Sequence, residues 1–280
     1  MTPDAASLID LKTYPIDCPG PLRDALVEDV RAQLARDGCA VIRSFITPEA
    51  IAALTAEADG VAHLGHRSFN RTNAYFTKDD PNLPDSDPRR RFFERSNTFI
   101  PADNFAKDGP LRRIHDAPGF DGFIRECLQE ERFYRYADPL ADVIVNMAEE
   151  GNGFPWHFDT NNFTVTLAIQ NAEVGGAFEF APAIREGGEN FDAVAEVLDG
   201  GSPRVRVLEL RPGDLQLFRG RYSLHRVAPL RGPTRRYVAI FSYVEEPGMV
   251  GAPERTRQLY GRVLPIHLER AGLRADAYID

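Results

Sequence analysis

Cysteine is scarce in this chain of 280 residues: Cys18, Cys39 and Cys127 stand far apart and none belongs to a CxxC pair. That spacing excludes a disulfide framework and a zinc ribbon, and it suits a reducing compartment. Positive charge is also in the minority. With 33 Lys and Arg against 42 Asp and Glu, the formal net charge is −9, the wrong sign for a nucleic-acid surface. No window approaches the roughly 18 apolar residues of a membrane span. The opening MTPDAASLIDLK lacks the basic, apolar and small-residue order of a signal peptide. No internal repeat or low-complexity tract is present. These absences predict a soluble, cytoplasmic protein with a small-molecule substrate and no nucleic-acid or membrane partner; a homodimer is possible.

What remains is ordinary globular material, 43% hydrophobic and 27% charged, enough to bury a sizeable core. The pattern predicts one domain over 1–280, with helical support over about 20–135, a β core over about 138–248 and a helical segment over 250–280. In PLRDALVEDVRAQLARD, 21–37, Leu22, Ala25, Leu26, Val30 and Leu34 fall near helical spacing, and Gly38 follows as a stop. CAVIRSF reads as a strand, after which Thr47 caps a helix whose first residue is Pro48 and which runs to about residue 60. From His63 to Phe105 the periodicity fails. The segment is rich in Asn, Asp, Pro and Arg, with aromatics at Phe69, Tyr75, Phe76, Phe92 and Phe93, and so long an irregular stretch predicts a wall or lid over a site. A helix is expected over 121–129.

The β core follows from alternation. Val143, Val145 and Met147 alternate with Ile144 and Asn146, and an amide in so apolar a run is either a hydrogen-bonded core group or a ligand contact. In FTVTLAIQ, 163–170, Phe163, Val165, Leu167 and Ile169 occupy one face; Thr164, Thr166, Ala168 and Gln170 occupy the other, as a barrel lining would. Further short strands near 177–180, 205–210, 215–218 and 235–243 are separated by Gly and Pro turns, which predicts a mainly β fold, a jelly roll or sandwich with flanking helices. Helical stretches are expected over 253–262 and 266–271.

The chemistry gathers in FPWHFDTNNFTVTLAIQ, 154–170. His157 and Asp159 are separated by one residue, so on an extended backbone they share a face, and His225 follows 68 positions after His157. Two imidazoles and one carboxylate can occupy one triangular face of an octahedral iron and leave the opposite positions open. His63, His66 and His267 lack a comparably spaced carboxylate and are read as loop or packing residues. A strand Arg, Arg236, lies 11 positions past His225.

With these four residues in this order, the sequence resembles the Fe(II)- and 2-oxoglutarate-dependent oxygenases, over about residues 138–248. The resemblance implies a double-stranded β-helix (jelly-roll or cupin-like) core, with Fe(II) on His157, Asp159 and His225, and with 2-oxoglutarate and O2 as cosubstrates. It also implies that an Arg on the penultimate core strand pairs with the far carboxylate of 2-oxoglutarate. Arg236 fits better than Arg235, because alternation groups it with Val238, Ile240 and Ser242, and a guanidinium suits a dicarboxylate. Val238 stands where the family carries a hydroxyl, so Thr166 and Asn146 are candidates for the second cosubstrate contact.

WHFDTNNFTVTLAIQ, GGAFEFAPAIR and GDLQLFRGRYSLHRVAP resemble the branch with halogenases and hydroxylases of free amino acids. Halogenating members of that branch carry a small residue in place of Asp159, so the resemblance implies hydroxylation of an unactivated C–H in a free amino acid or derivative, with release of succinate and CO2. Arg89 to Arg95 with Asp79, Asp80 and Asp87 are equally a zwitterion clamp or a solvated loop. The competing readings are the same chemistry on a larger natural-product intermediate (hydroxylation, desaturation or cyclisation), a non-catalytic cupin-like metal-binding protein, and a zinc hydrolase.

Overall fold

The computed structural model describes residues 8–68 and 70–270. Its larger sheet runs Cys39–Ile42, Leu215–Phe218, Phe163–Gln170, Arg236–Val244, Val143–Ala148, Thr98–Ile100 and His66–Arg67 from edge to edge, and Tyr134–Arg135 also pairs with the long strand. A smaller sheet runs Arg206–Leu208, Phe178–Ala181, Leu224–Val227 and Phe154–His157. Apart from Val174–Gly175 and Leu230–Arg231, which pair with each other, the strands from residue 143 to 181 alternate between the sheets, and those from 215 to 244 alternate again. This is the jelly-roll winding of a double-stranded β-helix, as the resemblance implied.

Period-two alternation decides what each sheet face meets. On Phe163–Gln170 the apolar set Phe163, Val165, Leu167 and Ile169 joins Tyr237, Ala239, Phe241 and Tyr243 of Arg236–Val244 in the main core. Helices Pro21–Asp37, Pro48–Val61, Pro110–His115 and Phe120–Leu128 cover this face, contributing Val30, Leu54, Ile114 and Phe123 among others. Burying one such group stabilises the fold by about 1.5–3 kcal/mol. The opposite face turns inward and carries Thr164, Thr166, Arg236, Val238, Ile240 and Ser242. Register sets their neighbours: Arg236 lies opposite Ala148, Val238 opposite Asn146 and Ile240 opposite Ile144. The small Ala148 leaves space for the guanidinium beside it.

Local signals match the structure where capping chemistry is explicit. The Thr47 hydroxyl accepts from the Ala50 N–H, Pro48 opens the helix, and Gly38 closes the first helix in the left-handed region at φ 72°. Two expectations need correction. In the first helix the buried face is Val27 and Val30, with Leu26 and Leu34 partly buried against the core, while Leu22 is 71% exposed and Ala25 is exposed. The segment 63–105 is also not wholly irregular. Thr98–Ile100 adds to the larger sheet beside Val143–Ala148, and Asn70–Thr72 pairs with Phe93–Arg95; strands of three residues are too short to leave a periodic signal. The closing helices are Pro253–Tyr260 and Pro265–Glu269. Residues 271–280 of the expected C-terminal segment, and Phe69, lie outside the described residues.

Candidate metal centre and cavity

His157 ends one strand of the smaller sheet and His225 sits directly opposite it on the neighbouring strand. Antiparallel register therefore brings together two imidazoles that are far apart in sequence. Asp159 follows His157 on the loop, where its N–H donates to the Gly220 carbonyl at 3.2 Å. The result is a convergent set. Asp159 Oδ1 lies 3.6 Å from His157 Nε2 and 3.4 Å from His225 Nε2, and one ligand atom from each residue falls within 4.8 Å of the others. Among the described residues this is the group able to hold a metal ion.

Neighbouring groups fix each donor. His157 Nδ1 lies 2.8 Å from the Pro155 carbonyl and His225 Nδ1 lies 2.9 Å from the Ser223 carbonyl. A carbonyl only accepts, so each Nδ1 carries the proton and each Nε2 presents its lone pair to the centre. Burial holds His157 well below its ordinary pKa and so neutral. Burial opposes ionisation of Asp159, but His225, His157 and the Thr164 hydroxyl together hold its carboxyl at about 2. Thr164 Oγ1 donates to Oδ2 at 2.5 Å, which leaves Oδ1 for an ion. Gly220 packs against the same carboxylate: a Cβ there would fall 1.8 Å from Oδ2. The donor set, its tautomers and its charge fit a divalent iron.

Arg236 is 6% exposed. Among the described residues its guanidinium has no ion-pair or hydrogen-bond partner, and burial alone lowers its pKa to about 10. Gly176, at φ 71°, packs on it, since a Cβ there would meet Arg236 Cδ at 3.0 Å. A buried cation without a counter-ion is costly, and a carboxylate delivered by a ligand would offset that cost. Arg235 is placed differently, its Nε donating to Glu149 Oε1 at 3.1 Å. Thr166 faces inward, but its hydroxyl donates to Gln216 Oε1 at 2.8 Å, and Gln216 Nε2 in turn reaches Cys39 Sγ. Asn146 is 6% exposed on the same inner surface.

A cavity of about 760 Å³ opens on the His157 and Asp159 side chains. Its lining combines apolar Phe99, Ile144, Phe154 and Ile240 with charged Arg71, Lys78, Asp79, Glu254 and Arg255. The segment 63–105 thus supplies one wall, including Phe76 and Phe92, and the stretch from Met249 to Tyr260 supplies another. Tyr75 points elsewhere, packing on Phe158 and Phe191. The Arg89-Arg90-Arg91 run is tied to carboxylates: Arg89 to Asp87, Arg90 to Asp79 and Asp85, and Arg91 to Asp199. Asp80 caps Asn82. His63 and His66 lie outside the donor group, and His267 is buried, its Nδ1 accepting from the Leu264 N–H while Nε2 donates to Asp138.

Several site residues escape a reading of the sequence. Arg95 is 1% exposed, its guanidinium lies 4.5 Å from the Phe154 ring centroid, and its two terminal nitrogens have no partner among the described residues. Gly220 and the backbone carbonyls of Pro155 and Ser223 carry no compositional signal, although both carbonyls sit two residues before their His. Thr164 is legible as an inward residue but not as the partner of Asp159.

A family model described as HalD, Halogenase D, matches residues 22–252. No curated protein matches the sequence. Among solved structures, the non-heme alpha ketoglutarate dependent epimerase SnoN from nogalamycin biosynthesis is 14% identical over 79% of this protein and 84% of that one, with a TM-score of 0.55. A prolyl hydroxylase from Trichoplax adhaerens, solved with a hypoxia inducible factor peptide fragment, is 16% identical over 79% of this protein and 90% of that one, with a TM-score of 0.53. HygX from Streptomyces hygroscopicus, solved with nickel, 2-oxoglutarate and hygromycin B, is 10% identical over 79% and 88%, with a TM-score of 0.51.

Proposed function

Because the chain belongs to the Halogenase D family, matched over residues 22–252, and has the fold of 2-oxoglutarate-dependent oxygenases, we propose that it is an Fe(II)- and 2-oxoglutarate-dependent oxygenase that hydroxylates a C–H of a small polar metabolite. A free amino acid or derivative is the substrate class this reading favours. The observation that carries it is the meeting of two Nε2 lone pairs and Asp159 Oδ1 at the inner end of a walled cavity. When bound, iron with 2-oxoglutarate supplies the oxidation by O2: one oxygen atom enters the substrate as hydroxyl, the other enters succinate, and CO2 leaves.

The protein's own groups bind and orient. His157, Asp159 and His225 hold the metal, and the Pro155 and Ser223 carbonyls and the Thr164 hydroxyl hold those ligands in place. Arg236 takes the distal carboxylate of 2-oxoglutarate in a charge-assisted pair, and Asn146 is the candidate for a further contact. The Thr166 hydroxyl already donates its one proton to Gln216, which makes Asn146 the better candidate, because 2-oxoglutarate offers only acceptors. Phe154, stacked on His157 at 3.6 Å between centroids, keeps water from one side of the ion. Arg95, without a carboxylate partner behind that ring, leaves positive charge beside the cavity, which favours a substrate with an anionic group.

Asp159 selects between the outcomes of this branch. A halide needs the coordination position that its carboxylate fills, so hydroxylation is proposed although the family takes its name from halogenation. A second reading, a larger natural-product scaffold, is favoured by the cavity of about 760 Å³, more than a free amino acid fills. SnoN belongs to nogalamycin biosynthesis and HygX was solved with hygromycin B bound, both molecules of that kind. The test is succinate release from 2-oxoglutarate in the purified protein, with each free amino acid added in turn. Iron- and O2-dependent succinate stimulated by an amino acid supports the proposal. Turnover supported by zinc with no use of 2-oxoglutarate overturns it.

A further inference from the structure

Between Phe218 and Leu224 the chain crosses from the larger sheet to the smaller, and Gly220 lies in that turn. Its backbone does not demand a glycine, because its φ is not positive. Space demands it. Gly220 is buried, and a Cβ built there would lie 1.8 Å from Asp159 Oδ2, 2.6 Å from Asp159 Cγ and 3.0 Å from Asp159 Cβ. The three nearest atoms all belong to the one carboxylate in the donor set. A methyl at 220 and that carboxylate cannot share the volume, so one of them has to give way.

The turn is pinned along its length. Phe218 pairs with Cys39 and Thr164 in the larger sheet, and Leu224 pairs with Ala181 in the smaller. Between them, the Arg219 guanidinium donates to the Leu128 carbonyl at 3.2 Å and the Tyr222 N–H donates to the Arg219 carbonyl at 3.1 Å. The Tyr222 carbonyl accepts from the Arg185 N–H at 3.0 Å, and the fully buried Arg221 donates to the Thr160 carbonyl at 3.4 Å. Shifting Gly220 would strain several of these bonds together. The Asp159 carboxylate is held by less. Apart from the ion, its anchor is the Thr164 hydroxyl on Oδ2, the same oxygen that faces Gly220. Its side chain also borders the cavity, which gives it somewhere to turn.

We propose that Gly220 is the positioning residue that keeps Asp159 on the ion. With even a methyl at 220, Oδ2 is pushed off Thr164 and the carboxylate turns out of the donor set into the cavity. His157 and His225, each fixed by its own backbone carbonyl, stay in place, and one more position on the ion opens to water or a small anion. This rests on the metal-centre reading above. The outcome assigned there to Asp159 then depends on residue 220 as well.

The test compares Fe(II) affinity, by anaerobic competition with a chelator, in the wild type, Gly220→Ala, Asp159→Gly and the double variant. Gly220→Ala should weaken iron binding by about 10–100-fold. In the Asp159→Gly background the same methyl meets no carboxylate and should change affinity by less than about twofold. A crystal structure of Gly220→Ala loaded with nickel(II) should show both imidazoles on the ion and the Asp159 carboxylate off it. Wild-type affinity in Gly220→Ala, an equal loss in both backgrounds, or a carboxylate still on the ion overturns the inference. So does a Gly220→Ala protein that fails to fold, because the backbone has then yielded in place of the carboxylate. In each of those cases the wild type still binds iron and the metal-centre reading stands; a wild type that binds no iron overturns both.

Discussion

On the strand Arg236–Val244, Tyr237, Ala239, Phe241 and Tyr243 look into the helix-covered core, while Arg236, Val238, Ile240 and Ser242 look into the jelly roll. Polar atoms on the first face are satisfied by the protein: the Tyr237 hydroxyl donates to Asp59 and the Tyr243 hydroxyl to Asp121. On the second, the Arg236 guanidinium has no partner among the described residues. The first face is complete as it stands and is built for stability. The second leaves a buried cation unbalanced, which the proposed cosubstrate carboxylate would offset.

Substitutions on the two faces should therefore separate function from stability. The largest effect belongs to the donor set: Asp159→Ala should weaken iron binding by more than about a hundredfold and abolish substrate oxidation, with little change in the melting of the metal-free protein. On the core face, Phe241→Ala should cost about 3–5 kcal/mol, read by urea denaturation, and leave 2-oxoglutarate affinity unchanged in the folded fraction. His115 stacks on Phe241 at 5.4 Å with neither ring nitrogen partnered among the described residues. Burial, aided by Arg135, lowers its pKa to about 4 from 6.5. Between those values the unfolded state binds a proton that the folded one does not. Stability should fall as pH drops from about 6.5 to 4, by on the order of 3 kcal/mol, and His115→Phe should flatten that part of the profile.

Smaller effects sharpen the inner face. Arg236→Ala should weaken 2-oxoglutarate binding by about 10–100-fold while iron affinity holds. Thr164→Val should cost about tenfold in iron affinity, measured by competition with a chelator, because it frees Asp159 to turn. If core-face variants lost cosubstrate affinity as severely as Arg236→Ala, the division between the faces would fail.

Much of this is legible in the sequence because it is periodic or rests on residue types with few uses. Alternation in 163–170 assigns both faces of that strand, and the HxD pair, weak by itself, is legible because it opens a strand and is followed in order by a distal His and a strand Arg. Arg236 is separable from Arg235 by alternation alone. What stays hidden depends on contacts between residues remote in sequence. Arg95 is one of several arginines in a polar loop until folding places it behind Phe154. Asp138 and His267 are 129 positions apart, and Gly220 matters through the space it leaves for Asp159. In 63–105, pairing partners far along the sequence, and not local propensity, decide which three residues become a strand.

The most direct measurement is an anaerobic titration of the purified protein with Fe(II) and then 2-oxoglutarate, with bound iron counted and cosubstrate binding followed by visible absorption. One iron per protein molecule, 2-oxoglutarate binding that requires the iron, and loss of the first with Asp159→Ala but only of the second with Arg236→Ala are the results predicted. Iron binding unaffected by Asp159→Ala, or 2-oxoglutarate binding indifferent to both iron and Arg236, would contradict the assignment of the inner face.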